Sequence, residues 1–245
     1  MSKKRIDLLL VERGLFESRA KAQAAIQAGG VRVSGEVVAK PSEMVSDGAE
    51  ISAQAAHPWV GRGALKLAHA MAHWLISPAD KIVLDIGAST GGFTQVCLAG
   101  GAERVYAVDV GRGQLHAQVA ADPRVINLEG MDARKLCSIS VPDAIDLIVC
   151  DASFIGLEKA LPAALRLAAP GGDLIALIKP QFEVGPARVG KGGLVKDEGA
   201  RQDAQDGVRA FLEGAGWRVG AVIDSPIEGS DGNREYLVHA RAPAP

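Results

Sequence analysis

The stretch Lys81-Ile-Val-Leu-Asp-Ile-Gly-Ala-Ser-Thr-Gly-Gly-Phe93 decides the fold. Its first half is a short apolar run interrupted only by Asp85, the pattern of a strand buried on both faces. Its second half is glycine-rich and opens a helical pattern. Strand, glycine-rich turn and helix in that order form the mouth of a nucleotide-type cofactor site in a doubly wound α/β sheet. The dinucleotide fingerprint needs glycine two positions after its first, so that backbone can approach a pyrophosphate. Here that position is Ser89, between Gly87 and the pair Gly91-Gly92. A loop without the close-approach glycine suits a nucleoside cofactor lacking phosphates, and S-adenosylmethionine is the foremost candidate. Glycines are permissive in any tight turn, so a strand-to-helix turn with no ligand is the alternative reading of this motif alone.

Downstream, strands and helices alternate. Strands are expected at 81–86, 104–109, 124–127, 145–150 and 173–178, with helices near 92–100, 113–120 and 155–168. Such alternation implies a parallel sheet with helices on both faces. A helix near 199–214 then leads to strands near 217–224 and 235–241, joined through a turn-rich segment. Two closing strands without a helix between them predict an antiparallel hairpin at the sheet edge. The result is an α/β fold with a mostly parallel seven-stranded sheet, which resembles the Rossmann-like fold of class I methyltransferases.

Upstream of the motif a helix is expected from Ala64 to Trp74, preceded by His57-Pro58-Trp59-Val60-Gly61-Arg62-Gly63. That break sets residues 1–58 apart as a small α+β domain, 59–63 as a linker and 64–245 as the larger domain. Apolar residues at helical spacing mark helices over 5–13 and 18–28, with Ser18 as N-cap and Gly29-Gly30 as stop. Val31 to Val38, with a central Ser-Gly, reads as a hairpin, and a short strand is expected around Ala49-Glu50-Ile51.

Charge separates the two parts. The chain carries a net charge of -2, yet residues 1–40 hold eight Lys and Arg against four acids. A basic module joined to a mildly acidic enzyme is the natural reading. The three cysteines, Cys97, Cys137 and Cys150, are far apart and form no CxxC pair, so buried free thiols are expected, with no disulfide and no zinc site. The apolar run after the charged N-terminus, Leu8 to Val11, is too short for a signal peptide, and no run of about 18 apolar residues exists to span a membrane. A cytoplasmic protein is expected. Its oligomeric state is left open.

Ligands in this architecture bind beyond the carboxyl ends of the strands. The residues there are Asp85 and Gly87 after the first strand, then Asp109, which lies 17 residues past Gly92 and is placed for ribose hydroxyls. Next come Asp132, suited to an adenine amino group, and Asp151, facing the pocket. Each of the last three acids also fits the cap of the helix that follows it, and both roles stay open. Lys179 closes the otherwise apolar strand Leu174-Ile-Ala-Leu-Ile-Lys179. A lysine there must reach solvent or meet a partner.

Arg62-Gly-Ala-Leu-Lys66-Leu, Asp151, Lys179-Pro-Gln-Phe-Glu and Asn233-Arg-Glu235-Tyr-Leu occur in the order of the Lys-Asp-Lys-Glu tetrad that FtsJ-type RNA ribose methyltransferases carry. With its N-terminal module the chain resembles, over about residues 3–241, the TlyA family of rRNA 2'-O-methyltransferases, whose members also carry haemolysin names. The resemblance implies Lys66, Asp151, Lys179 and Glu235 as the catalytic set. It implies S-adenosylmethionine held by Asp85, Gly87, Ser89, Gly91, Gly92, Phe93, Asp109, Asp132 and Asp151, with no metal. Ribosomal RNA within ribosomal subunits is the implied partner and cytidine the implied acceptor. Phosphate contacts are expected from Lys3, Lys4, Arg5, Arg19, Lys21, Arg32, Arg62, Arg188 and Lys191. A membrane-active haemolysin and a catalytically inactive RNA-binding protein are the alternatives; the first lacks a membrane span and a cationic amphipathic helix.

The chemistry is consistent with the resemblance. A ribose 2'-hydroxyl must lose its proton as it attacks a sulfonium methyl, and Lys179 is the candidate base. A free lysine titrates near ~10.4, so a lysine base needs burial or a like charge beside it, which Lys66 would supply. Asp151 and Glu235 are expected to orient the two lysines. The segment from Pro180 to Arg201 contains Arg188, Lys191, Lys196 and five glycines. It is expected to be a mobile lid or RNA-contacting loop, with an ordinary solvated loop as the alternative.

Overall fold

The computed structural model describes residues 2–229 and 231–244, and the chain divides between Pro58 and Trp59 into two units. The smaller contains β1 (Lys3–Arg5), α1 (Ile6–Glu12), α2 (Arg19–Gln27), β2 (Val31–Val33), β3 (Glu36–Val37), β4 (Met44–Ser46) and β5 (Ile51–Ala53). Ile6, Leu9, Leu10, Ala22, Ala25 and Ile26 bring the apolar faces of the two helices into one core with Val31, Val38 and Val45. The Ser18 hydroxyl caps α2 by accepting from the Lys21 N–H at 3.3 Å. The expected hairpin is β2 with β3, Arg32 opposite Val37, and β5 joins the other edge of β2. The first helix begins at Ile6 rather than residue 5 because Lys3–Arg5 pairs antiparallel with Met44–Ser46, a pairing that the sequence reading missed.

The larger unit adds α3 (Ala64–Trp74), β6 (Ile82–Ile86), α4 (Gly92–Ala99), β7 (Arg104–Asp109), α5 (Ala117–Ala120), β8 (Val125–Glu129), β9 (Ile145–Cys150), α6 (Leu157–Ala160), α7 (Pro162–Leu165), β10 (Ala168–Ile178), α8 (Pro180–Glu183), α9 (Glu198–Gly214), β11 (Arg218–Asp224) and β12 (Tyr236–Arg241). The seven strands run in the order β11-β12-β10-β9-β6-β7-β8. β10, β9, β6, β7 and β8 are parallel, whereas β12 lies antiparallel to β10 and β11 antiparallel to β12. This is the α/β fold with an antiparallel edge hairpin that the alternation predicts.

Successive strand residues point to opposite faces, so each buried strand feeds two cores. Leu84, Tyr106, Ile148 and Leu174 pack with Ala204, Val208 and Leu212 of α9 on one side. Val83, Val105, Leu147 and Ile175 pack with Leu67 and Phe93 on the other. Val60, inside the stretch read as a linker, belongs to this second core. The helix expected over 155–168 is split into α6 and α7, since Pro162 cannot donate to the preceding turn. The one expected over 113–120 is only Ala117–Ala120, because Glu129 takes the Gln114 and Leu115 N–H groups at 2.6 and 3.0 Å and holds that segment as a loop. The cysteines are free, and Cys97 and Cys150 are buried as expected, but Cys137 is exposed, on the loop after Leu136.

Candidate active site

Asp151 and Lys179 follow the ends of β9 and β10, and Lys66 and Glu235 stand at the beginnings of α3 and β12. β6 ends at Ile86 and turns through Gly87–Gly91 into α4. Gly87 has φ +80°, and a Cβ there would sit 2.9 Å from the Ala152 backbone, so the turn needs glycine at that position. Ser89 is also left-handed, at φ 47°. Its N–H is held by Asp109 Oδ2 at 2.8 Å while Asp109 Oδ1 accepts from the Gly111 N–H at 2.8 Å. Asp109, at the end of β7, thus fastens the glycine-rich turn to the next loop and presents a carboxylate at its edge.

A cavity of about 330 Å³ opens there, lined by Val108, Asp109, Met131, Asp132 and Ile155 among others. None of its lining residues is Lys or Arg. Apolar walls with carboxylates fit a nucleoside, and among the described lining residues no lysine or arginine offsets the charge of a pyrophosphate. Asp132 lines the cavity, but its oxygens are engaged: it caps the following turn through the Arg134 N–H at 3.0 Å and is gripped by the Arg134 guanidinium at 2.7 Å. That grip and the backbone bond hold its carboxyl at about 2. Both roles left open for Asp132 are therefore compatible with its position.

Asp85 is fully buried, a strand-interior carboxylate behind the loop rather than a lining residue. Thr94 Oγ donates to its Oδ2 at 2.6 Å, and its Oδ1 has no hydrogen-bond partner among the described residues. Burial pushes its carboxyl up to about 7, against the opposing bond from Thr94.

A second cleft, of about 500 Å³, shares Gly87, Ser89, Asp151, Ser153 and Phe154 with the first. Lys66, Lys179, Glu235 and Phe93 line its far side. Lys66, in the first turn of α3, is 6% exposed and donates in a short ion pair to Glu235, 4% exposed and immediately ahead of β12. Lys179, at the end of β10, pairs with Asp151 Oδ1 at 2.6 Å. It also donates to the Asp151 carbonyl at 3.2 Å and to Ser153 Oγ at 2.8 Å. Its ammonium thus makes two hydrogen bonds and one ion pair, and Asp151 Oδ1 accepts no hydrogen bond among the described residues. All four tetrad positions meet in this one cleft, as two lysine–carboxylate pairs.

Ser153 escaped the sequence reading. A lysine at a buried strand end needs three acceptors, and a hydroxyl two residues past the acid on the neighbouring strand was the available clue. Phe154, 92% exposed and left-handed at φ 65°, stands between the two cavities, with its ring centroid 5.4 Å from that of Phe182.

The segment 180–201 holds α8 and two short 3₁₀ turns rather than one featureless loop. Asn233 ties it down: its Oδ1 accepts from the Val195 N–H at 2.9 Å and its Nδ2 donates to the Gly193 carbonyl at 2.8 Å. Arg188 pairs with Asp203 at 2.5 Å and Asp197 at 3.3 Å, Lys191 is exposed, and Arg62 is exposed at the lip of the cleft.

In the small unit the expected RNA contacts are in varied states. Lys3 is exposed, and Arg32 donates to the Gly35 carbonyl at 3.2 Å. Lys4 pairs with Glu12 at 2.7 Å and Lys21 with Glu17 at 2.5 Å. Arg5 and Arg19 both donate to Asp7, at 3.0 and 2.8 Å, and Gln23 joins them at 2.8 Å. Asp7 is fully buried, a hub that periodicity did not reveal.

The FtsJ-like methyltransferase family matches residues 59–242, and the S4 domain family matches residues 4–51. A relative in Mycobacterium tuberculosis (strain ATCC 25618 / H37Rv), the 16S/23S rRNA (cytidine-2'-O)-methyltransferase TlyA, is 43% identical over 239 residues, covering 97% of this chain and 89% of its own length. Hemolysin A of Brachyspira hyodysenteriae is 37% identical, covering 96% of this chain and 98% of its own. A solved structure from Streptococcus thermophilus that bears a hemolysin name superposes with a TM-score of 0.77 at 39% identity, covering 100% of this chain and 90% of the other.

Proposed function

This chain belongs to the FtsJ-like methyltransferase family and carries an S4 domain ahead of the matched region, and from that premise we propose that it is an S-adenosylmethionine-dependent rRNA 2'-O-methyltransferase that acts on cytidine. The observation that carries the reading is the pair of lysine–carboxylate contacts in a cleft continuous with a nucleoside-sized cavity. In this account the cavity beside Asp109 receives the nucleoside part of the cofactor, with the turn at Gly87–Gly91 alongside. When bound, S-adenosylmethionine supplies an electrophilic methyl on a sulfonium.

The residues of the chain then have the following work. Asp151 holds Lys179 from two directions, through the ion pair with its carboxylate and the hydrogen bond to its carbonyl. The third direction faces Ser153 Oγ, the most exposed of the partners. Once Lys179 has released a proton, its lone pair occupies that third direction, where a ribose 2'-hydroxyl would replace Ser153. Lys179 Nζ would take up the hydroxyl proton as the oxygen gains the methyl group and the methyl–sulfur bond of the sulfonium breaks to leave a neutral thioether. Lys66, fixed by Glu235, is the positive group facing the acceptor oxygen from the other wall. Holding the reactants in line supplies most of the acceleration in such a site.

The S4 unit supplies affinity through phosphate contacts from Lys3, Lys4 and Arg32, with Arg62, Lys191 and Arg188 added by the larger unit. Ribosomal subunits in the cytoplasm are the proposed substrates. The hemolysin names belong to the relatives that bear them, and among the described residues no helix is long and apolar enough to cross a membrane. The test is transfer of tritium from labelled S-adenosylmethionine to purified 30S and 50S subunits and to the naked rRNAs. Counts in 2'-O-methylcytidine from either subunit are expected; cofactor binding with no transfer to any of these would leave only an RNA-binding protein.

A further inference from the structure

Glu183 is a partly buried carboxylate that lines neither cavity and has no part in the mechanism above. It closes α8, four residues after Lys179, and its Oε1 accepts from the Leu157 N–H at 3.0 Å. Its Oε2 lies against Gly156 so closely that a Cβ there would be 2.9 Å away, and 3.1 Å from the Phe182 carbonyl. The loop after β9 is thus fastened to the loop after β10 at two points. At the near end Lys179 grips Asp151 and Ser153; at the far end Glu183 grips Gly156–Leu157.

Between those points lies Phe154, a non-glycine residue held left-handed at φ 65° with its side chain in solvent. Such a conformation persists only where the surroundings over-determine it. Between the fasteners the Phe154 ring also meets that of Phe182, a contact that depends on α8 keeping its place. Release of the far end would let the Ala152–Leu157 segment relax and carry Ser153 and Asp151 away from Lys179.

We propose that Glu183 is a positioning residue for the methyl-transfer reaction, which acts by pinning the Ser153–Leu157 turn so that Asp151 and Ser153 hold Lys179 in register with the acceptor hydroxyl. The proposal rests on the methyltransferase reading given above. Glutamine at 183 keeps an acceptor for the Leu157 N–H, and alanine does not.

The experiment compares wild type, Glu183→Ala, Glu183→Gln and Gly156→Ala in the full chain, by steady-state methylation of ribosomal subunits, S-adenosylmethionine Kd by calorimetry, and amide hydrogen exchange. Glu183→Ala is expected to lower kcat roughly tenfold or more, the scale at which small misplacements act. The cofactor Kd and the KM for subunits should stay within about twofold, since no cavity-lining group is removed. Exchange at Leu157 should rise, and Glu183→Gln should restore both kcat and protection. Gly156→Ala displaces the carboxylate from the other side and should reproduce the kcat loss, which keeps the test decisive if Glu183→Ala does not fold. Undiminished kcat in Glu183→Ala, or an equal loss in Glu183→Gln, would overturn the proposal while leaving the methyltransferase reading intact. A wild type that methylates no rRNA would overturn both.

Discussion

At Lys179 the ammonium donates to the Asp151 carbonyl and to Ser153 Oγ and pairs with the Asp151 carboxylate, and of these partners only the Ser153 hydroxyl is on the open side of the cleft. Loss of the lysine should therefore abolish proton removal and leave the cofactor cavity untouched. Lys179→Ala is expected to reduce methylation about a hundredfold or more at saturating cofactor, with S-adenosylmethionine Kd unchanged by calorimetry. Lys66 behaves differently because its partner is just as buried. Lys66→Ala leaves Glu235 without a counter-charge, which typically costs about 3–5 kcal/mol. Its activity loss should come with a clear drop in melting temperature. Lys66→Met with Glu235→Leu should regain the stability and none of the activity, a separation that a purely structural pair would not show. The tetrad was legible before the structure because its motifs keep their order. Ser153 and Asp7 were not, for their roles depend on contacts between elements far apart in sequence.

The turn Gly87–Gly91 and the 180–201 segment are each held by contacts from elements distant in sequence. Gly87→Ala would drive a Cβ to within 2.9 Å of the Ala152 backbone at a φ of +80°. It should weaken S-adenosylmethionine binding at least tenfold, an effect of about 1.4 kcal/mol or more. Asn233→Ala removes both bonds to Gly193 and Val195. Limited proteolysis should then cut within 184–197 faster than in wild type, with cofactor affinity unchanged; an unchanged cleavage rate would show that Asn233 does not hold the segment. The alternation of strands and helices was readable because β6, β7 and β9 are buried on both faces and five or six residues long. The short elements were not. β1 and β4 have three residues each, too few for any period to show. α6 and α7 merged in the reading because the apolar pattern runs on across Pro162.

Across the whole chain, depressed and raised carboxylates should make stability depend on pH in two separate windows. In the small unit Asp7 is held well below the usual carboxylate range, mainly by the Arg5 guanidinium and further by Gln23 and Arg19, against its burial. Its contribution is present above the unfolded value of 3.8 and is lost as pH falls below it. In the large unit burial pushes Asp85 and Glu183 up to about 7, from 3.8 and 4.5. The folded state there keeps protons that the unfolded chain releases, so stability declines as pH rises from near 4 through about 7. All three tryptophans, Trp59, Trp74 and Trp217, lie in the large unit, so tryptophan fluorescence in urea reports that unit alone. Its midpoint should fall over that window, and Asp85→Asn should flatten the slope; an identical slope in the variant would place the titration elsewhere. Basic residues of the S4 unit should make subunit binding weaken steeply with salt. The charge asymmetry between the two parts was readable from composition alone, whereas the counter-ions that hold Lys4, Arg5, Arg19 and Lys21 appear only once the unit is folded. Delivery of a methyl group to a ribose hydroxyl through Lys179 can be read out most directly by digesting rRNA methylated with tritiated S-adenosylmethionine and identifying the labelled nucleoside for wild type and Lys179→Ala. Label in 2'-O-methylcytidine is expected from wild type and should be lost in the variant; label on a base, or an undiminished yield from Lys179→Ala, would rule out this chemistry.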